Sequence, residues 1–304
     1  MISQDIINSR FGVGLALTLG RSFPKKIGYW ISDAVATLIA KQKRMSMVQA
    51  VHSNQWVVHQ GQLDKKRLDQ LVIDTFRASG RCLFDFYHNL TRPERLLSLV
   101  RFSPKFETLL ERCRSGTNPT LMVIPHTSNF DLGGRAMALR GLDFQVLSYP
   151  NPNDSYQWQN QIRSLNNLEV TPMSISAFQK ARERLQAGGT VLTGLDRPLP
   201  DSNYPVQFFS HKAMLPVAYT RLALKMDVPV AVVACHTNAD GTYLLDSSDL
   251  ISPVHLSDLP RALIENTERF LHEAEGFIRR APHQWAMYYP VWPEVKDEIP
   301  WARA

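Results

Sequence analysis

Short apolar runs alternate with segments of helical length through the middle of the chain, and this alternation constrains the fold most. The runs lie at 120–124 (TLMVI), 144–147 (FQVL), 190–193 (TVLT) and 228–234 (VPVAVVA), and segments at about 129–140, 155–166, 176–187 and 212–225 separate them. Strands that alternate with helices form βαβ units, whose strands are parallel. The sequence therefore predicts an α/β fold with a mostly parallel central sheet flanked by helices, and 242–246 adds one more strand.

The first 115 or so residues have a helical pattern instead. Within 62–90, an apolar stripe recurs at helical spacing through Leu68, Leu71, Val72, Thr75 and Phe76. A shorter helix is predicted over 104–114, and a long amphipathic helix over 259–280. The α/β core is thus expected to carry a helical N-terminal region.

The positive charge is concentrated at the N-terminus. Seven basic and two acidic residues give residues 1–44 a charge of +5, out of +6 for the chain. The bases flank two apolar stretches, 11–20 and 27–40, and neither reaches the ~20 apolar residues of a spanning helix. We interpret 1–45 as a basic amphipathic segment that lies on anionic lipid, and 46–304 as one α/β domain. The alternative is that these are ordinary amphipathic helices covering the core.

Cysteine and histidine spacing argues against other classes of site. Cys82, Cys113 and Cys235 are widely separated and form no CxxC pair, so neither a disulfide framework nor a zinc site is expected. No second histidine lies near enough to His126 to form a usual zinc ligand pair. Gly-x-Ser-x-Gly, the motif of a serine hydrolase, does not occur. The sequence therefore predicts no metal and no cofactor.

His126 and Asp131 stand where a predicted strand ends, in the segment LMVIPHTSNFDLGG (121–134). His59 and Asp64 have the same spacing, so the spacing alone predicts nothing. However, functional groups in open α/β sheets gather at the carboxyl ends of strands, and only His126 follows a strand. Ser128 or Asn129 is expected to cap the next helix, which would allow the Asp131 carboxylate to fold back onto Nδ1 of His126.

Four blocks in order resemble one family. His126-Thr-Ser-Asn-Phe-Asp131 looks like the His-x4-Asp block of glycerolipid acyltransferases. The segments 188–197 (GGTVLTGLDR), 204–213 (YPVQFFSHKA) and 282–285 (PHQW) through Trp292 are similar to further blocks of the lipid A biosynthesis acyltransferase branch, which includes the phosphatidylinositol mannoside acyltransferases. The resemblance covers roughly residues 120–292, the motif-bearing core.

The resemblance implies acyl transfer from a thioester of acyl carrier protein or coenzyme A to a hydroxyl of a membrane glycolipid similar to a lipid A precursor. In that scheme His126 is the general base and Asp131 orients it. Such a base contributes about 10²–10⁴-fold to the rate. The thioester is a co-substrate, so no bound cofactor is implied.

The remaining candidate site residues are expected to bind substrate. Arg163 matches a basic position of the family that binds phosphate or sugar, with a solvated helix arginine as the alternative. Asp196 and Arg197 follow a strand and are expected to hold substrate or to form a salt bridge. Phe208 and Phe209 line an acyl tunnel or belong to the core, with neither favoured. For Lys212, simple exposure is favoured over contact with donor phosphates, and Asn129 completes the set.

Two departures from the family pattern make substrate identity the least transferable inference. Ser210 stands where the family usually has Gly after its Phe-Phe pair, and Arg163 is not followed by glycine. We expect a peripheral or monotopic protein at the cytoplasmic face of a bacterial inner membrane. The alternatives are O-acylation of a phosphatidylinositol mannoside or another lysolipid, a thioesterase, and a basic membrane-binding protein without chemistry. A nucleic-acid partner is not expected, and the sequence does not state acceptor, chain length, donor or oligomeric state.

Overall fold

The structure, a computed structural model, describes residues 23–165, 167–199 and 202–301. Its helices are α1 (Lys25–Ala40), α2 (Ser46–Val58), α3 (Lys65–Asn89), α4 (Pro93–Leu99), α5 (Pro104–Arg114), α6 (Phe130–Leu139), α7 (Asp154–Arg163), α8 (Ile175–Gln186), α9 (Ala218–Met226) and α10 (Leu259–Arg280). Its strands are β1 (Val100–Phe102), β2 (Thr120–Ile124), β3 (Phe144–Ser148), β4 (Leu168–Pro172), β5 (Thr190–Gly194), β6 (Pro205–Phe208), β7 (His211–Met214), β8 (Val230–Thr237) and β9 (Tyr243–Ser247). Short 3₁₀ helices cover Pro282–Gln284 and Pro293–Asp297.

A seven-stranded sheet in the order β1-β9-β8-β2-β5-β3-β4 forms the centre, which confirms the predicted α/β class. The five strands from β8 to β4 are mutually parallel, whereas β9 runs antiparallel to β8. In β2 every residue is buried, as expected for a strand covered by helices on both faces. The carboxyl ends of β2 and β5 lie side by side, because Ile124 pairs with Gly194.

Sequence patterning located most of these elements but missed four strands and misplaced one helix boundary. β1, β4, β6 and β7 were not expected, and the helix predicted over 212–225 is wrong in its first part. β7 forms an antiparallel hairpin with β6, and α9 starts only at Ala218. The hairpin turn consists of Phe209 and Ser210, both with positive φ (52° and 60°), as a two-residue turn matching the twist of its strands requires.

The helical N-terminal region packs beside the sheet. α1 lies against α3 so closely that a Cβ on Gly28 would come within 2.6 Å of three Phe84 ring carbons. A small core of its own joins α1, α2 and α3 around Val51 and Phe76. The apolar stretch 11–20 and its flanking Arg10 and Arg21 lie outside the described residues. Among residues 23–165, 167–199 and 202–301, no helix has the length and apolar character needed to cross a membrane.

Candidate active site

His126 lies two residues beyond the end of β2, in the loop that leads to α6. Ser128 in this loop has a positive φ of 49°, and Asn129 caps α6 by accepting a hydrogen bond from the Leu132 amide at 3.3 Å. The cap that the sequence predicted is therefore present. Because the chain turns sharply between Pro125 and α6, the imidazole projects from the carboxyl edge of the sheet.

Asp196, which follows β5, holds the imidazole. Its Oδ1 lies 2.6 Å from Nδ1 of His126, and its Oδ2 accepts the His126 backbone N–H at 2.9 Å. The indole N–H of Trp285 donates to the same Oδ2 at 2.7 Å. The Asp196 side chain is fully buried, whereas 27% of the His126 side chain is exposed. A carboxylate at Nδ1 fixes the tautomer that leaves Nε2 free to accept a proton.

The contact predicted between Asp131 and Nδ1 is therefore corrected. Asp131 stands in the first turn of α6 and faces α7, where Arg163 meets it with Nε–Oδ1 at 2.8 Å and Nη2–Oδ2 at 3.0 Å. Burial is the largest single influence on the pKa of Arg163 and lowers it, but the charges of Asp131 and Tyr156 and their hydrogen bonds together raise that pKa above its ordinary value. Asp196 reaches the imidazole instead because β5 is the immediate neighbour of β2 in the sheet.

Residues 284–286 bind the loop between β2 and α6 that carries His126 (residues 125–129, the histidine loop) through backbone contacts. The backbone of Thr127 bridges that of Trp285, and the Ala286 amide donates to the His126 carbonyl at 2.9 Å. Gln284 accepts the Ser128 amide through its backbone carbonyl at 2.7 Å. The Gln-Trp pair of the fourth sequence block therefore positions the loop and, through Trp285, the Asp196 carboxylate. Sequence reasoning missed this role because nothing local connects residue 285 to residue 126.

A cavity extends from His126 along one face of the sheet. Its mouth carries polar groups, including Asp131, Arg163, Arg197 and Tyr156. Further in, the walls are apolar and come from β3, β4 and β5 on one side and α6 on the other, with Val146, Val170 and Leu192 side by side in the sheet. The site therefore joins an imidazole to an apolar channel.

Arg197 is held flat at the mouth of this cavity. Its guanidinium carbon lies 4.1 Å from the centre of the Tyr149 ring and 3.9 Å from that of Tyr289. Its buried Nε has no hydrogen-bond partner among the described residues. Cation–π contacts on both faces fix the plane of the guanidinium, so its edge is available to an oxygen of a ligand.

Phe208, Phe209, Lys212 and Asn129 do not line the cavity. The two phenylalanines are buried around Trp285 and Trp292, with ring centroids 4.8–6.2 Å apart. Of the two alternatives for Phe208 and Phe209, an acyl tunnel or the core, the structure shows the core, in a cluster that supports Trp285. Lys212 is exposed on β7.

The Asn129 side chain is buried and committed to the protein. Besides capping α6, it donates to the Cys82 carbonyl of α3 at 2.8 Å. This geometry favours a structural role over the substrate contact that was expected. Cys82, Cys113 and Cys235 are free and buried. Within the part of the chain that the structure describes, no three His, Cys, Asp or Glu side chains are grouped in a way that suits a metal ion.

Comparison with protein families gives a match that covers nearly the whole chain. The family model described as bacterial lipid A biosynthesis acyltransferase matches residues 7–293, nearly the whole chain. No curated protein matches the chain. The matched range contains His126, Asp196 and Trp285, as well as the polar residues at the mouth of the cavity.

Proposed function

Because the chain belongs to the bacterial lipid A biosynthesis acyltransferase family and is therefore an acyltransferase, we propose that it moves a fatty acyl chain from an acyl carrier protein or coenzyme A thioester to a hydroxyl of a membrane glycolipid. The observation that carries this proposal is the pairing of His126 with Asp196 at the polar mouth of an apolar channel. An acyl thioester is complementary to this site, because its reactive carbonyl can lie at His126 while its apolar chain fills the channel.

In the proposed reaction, Nε2 of His126 removes the proton of the acceptor hydroxyl while the oxygen attacks the thioester carbonyl carbon. The carbon–sulfur bond then breaks, and the thiolate leaves with the proton that His126 had taken. Asp196 keeps the ring oriented and stabilises the imidazolium between these two steps. No covalent acyl-enzyme is required, since the nucleophile belongs to the acceptor.

Arg197 and the Asp131–Arg163 pair are proposed as the substrate-binding groups of the mouth. The flat guanidinium of Arg197 is suited to the developing oxyanion or to a phosphate of either substrate. Arg163 keeps its orientation because Asp131 accepts two of its hydrogen bonds. Asp131 thus contributes to the site through Arg163 in this proposal.

Membrane association is proposed through α1, within the segment 1–45. Its solvent-exposed apolar residues are Ile27, Trp30, Val35 and Leu38, with 45–72% of each exposed. α1 packs on α3, and α3 contacts the histidine loop through Cys82, so a lipid surface at α1 would lie close to the site. An anionic bilayer complements the bases of this segment. The inner membrane's cytoplasmic face is the expected location.

Liposome flotation tests this surface. A Trp30→Ser/Leu38→Ser double variant should lose most binding to vesicles containing an anionic lipid. Leu250→Ser, which also changes an exposed apolar residue, should bind as the unchanged protein does. Equal binding by all three proteins would refute the assignment to α1.

The activity itself is tested with a panel of acyl thioesters and total bacterial glycolipids, followed by mass spectrometry. Acyl-lipid product is expected with His126 intact. Product that consists only of free fatty acid would show a thioesterase and overturn the proposed transfer. Acylation of a phosphatidylinositol mannoside instead of a lipid A precursor would keep the chemistry and change the acceptor.

A further inference from the structure

The cavity is elongated parallel to the strands, and the register of β3 and β4 shows which residues line each end. Phe144 pairs with Leu168 at the start of β3 and β4, Val146 pairs with Val170 one row later, and Ser148 ends β3. All five except the mouth residue Ser148 are apolar, and all line the cavity. The channel thus runs from His126 at the carboxyl ends of the strands towards their amino ends. Four residues of strand correspond to a depth of about 13 Å.

The wall opposite the sheet is one stripe of α6. Phe130, Asp131, Gly134 and Met137 line the cavity, at the spacing of one helix face. Because α6 connects two parallel strands, it runs back along the channel from mouth to end. Gly134 stands four residues beyond Phe130, about 6 Å along the helix, and therefore near the middle of the channel.

Two adjacent glycines of α6 differ in what a side chain would meet. A Cβ on Gly133 would lie 2.9 Å from Cδ2 of Leu245, so close packing explains that glycine. A Cβ on Gly134 would meet no described atom within 4 Å beyond its own helix turn and chain neighbours. A glycine inside a helix costs about 0.5–1 kcal/mol relative to alanine. Packing gives no reason for that cost at Gly134, and its missing side chain leaves the channel open.

We infer that Gly134 determines how long an acyl chain the enzyme accepts, because a long side chain at this position would project into the channel between its mouth and its inner half. The inference rests on the proposed function. A saturated chain with bonds of about 1.5 Å advances about 1.25 Å per carbon. The full depth then holds about ten carbons, and the part beyond Gly134 holds about half of them.

The test compares Gly134→Leu with the unchanged protein on saturated acyl thioesters of increasing length. The preferred chain should become shorter by about four to six carbons. Each methylene excluded from an apolar site costs about four-fold in affinity, so kcat/KM for the longest accepted donors should fall at least 100-fold. The shortest donors should keep their rate. Leucine is a better helix former than glycine, so folding should be preserved.

Two controls separate chain-length selection from general damage. Gly276→Leu introduces the same change into α10, where Gly276 is exposed and its Cβ would have open space around it, and it should leave the profile unchanged. Gly133→Ala changes the neighbouring position, where the Cβ would press on Leu245, and it should lower the melting temperature without shortening the preferred chain by as much as Gly134→Leu does. An unshifted profile for Gly134→Leu, or an equal loss for donors of every length, would overturn the inference.

Binding measured without transfer distinguishes this inference from the proposed function. Displacement of an apolar fluorescent dye by free fatty acids of different length reports on the channel alone. If Gly134→Leu changes the length of fatty acid that binds best, and no acyl-lipid product forms, the role of Gly134 in the channel is supported and the proposed acyl transfer is rejected. Transfer with an unchanged length profile would reject only the role of Gly134.

Discussion

Two segments of the chain carry a histidine followed five residues later by an aspartate, and the structure uses them differently. His59 is the C-cap of α2 and contacts the Gln55 carbonyl with Nδ1 at 3.0 Å, while Asp64 caps α3 by accepting the Arg67 amide at 2.8 Å. At the second segment, Asp131 pairs with Arg163. In neither segment does the aspartate hold its own histidine.

What distinguishes His126 is therefore a residue from elsewhere in the chain. Asp196 reaches Nδ1 from the end of the adjacent strand, 70 residues away in sequence. His59 has no strand end beneath it, and its contact is made within its own helix. A short sequence motif therefore indicates the position of the candidate catalytic histidine, but the residue that orients its ring is brought there by the fold.

The largest difference in kcat is expected between the variants Asp196→Asn and Asp131→Asn. Asparagine cannot stabilise an imidazolium as a carboxylate does, so Asp196→Asn should lose about 10²–10⁴-fold in kcat. Asp131→Asn should chiefly raise KM, by about tenfold or more, because Arg163 loses a charged partner. Steady-state kinetics on the folded variants measures both. If kcat falls more in Asp131→Asn than in Asp196→Asn, the roles assigned here are reversed.

The ring of His126 leaves no space for a side chain at Gly194. A Cβ there would lie 2.9 Å from Cε1 of the imidazole, so Gly194→Ala should displace the ring. A misplacement of about 1 Å can cost about 10²-fold in rate, and we expect kcat to fall by up to that factor. Gly276→Ala serves as the control. Unchanged kcat in Gly194→Ala would mean that the ring position is not critical.

Trp285→Phe removes the indole N–H and keeps most of the ring. A hydrogen bond to a charged group contributes about 1.5–3 kcal/mol, and only part of this acts on the reaction. We therefore expect about a tenfold loss of kcat with little change in KM. Phe208 and Phe209 contact the indole ring of Trp285 and not Asp196, so a substitution at either of them should not restore the lost kcat. A loss of stability with full activity in the remaining folded protein would contradict the positioning role.

The smallest effect is expected at the other segment. Asp64→Ala removes the cap of α3 and should lower the free energy of unfolding by about 1 kcal/mol. The rate of acyl transfer should stay unchanged, since Asp64 does not line the cavity. Chemical denaturation and the same kinetic assay measure the two quantities. If activity falls by more than the fraction of folded protein, residues 59–64 contribute to catalysis, contrary to this prediction.

The sequence predicted the sheet, most helices and the place of His126, because apolar periodicity and caps are local signals. It did not predict which carboxylate serves the imidazole. That choice depends on β2 lying beside β5, an adjacency that brings Ile124 and Gly194 together and that no local pattern contains. The sequence likewise left Phe208 and Phe209 open between an acyl tunnel and the core, since aromatic residues in a sequence do not indicate whether they face a cavity or one another.

The most direct test of the central claim is the rate of acyl transfer by His126→Ala beside His59→Ala, both verified as folded by circular dichroism and thermal unfolding. If His126 is the general base, kcat should fall by about 10²–10⁴-fold in His126→Ala and stay unchanged in His59→Ala. A folded His126→Ala protein that acylates its acceptor at the rate of the unchanged enzyme would contradict the account.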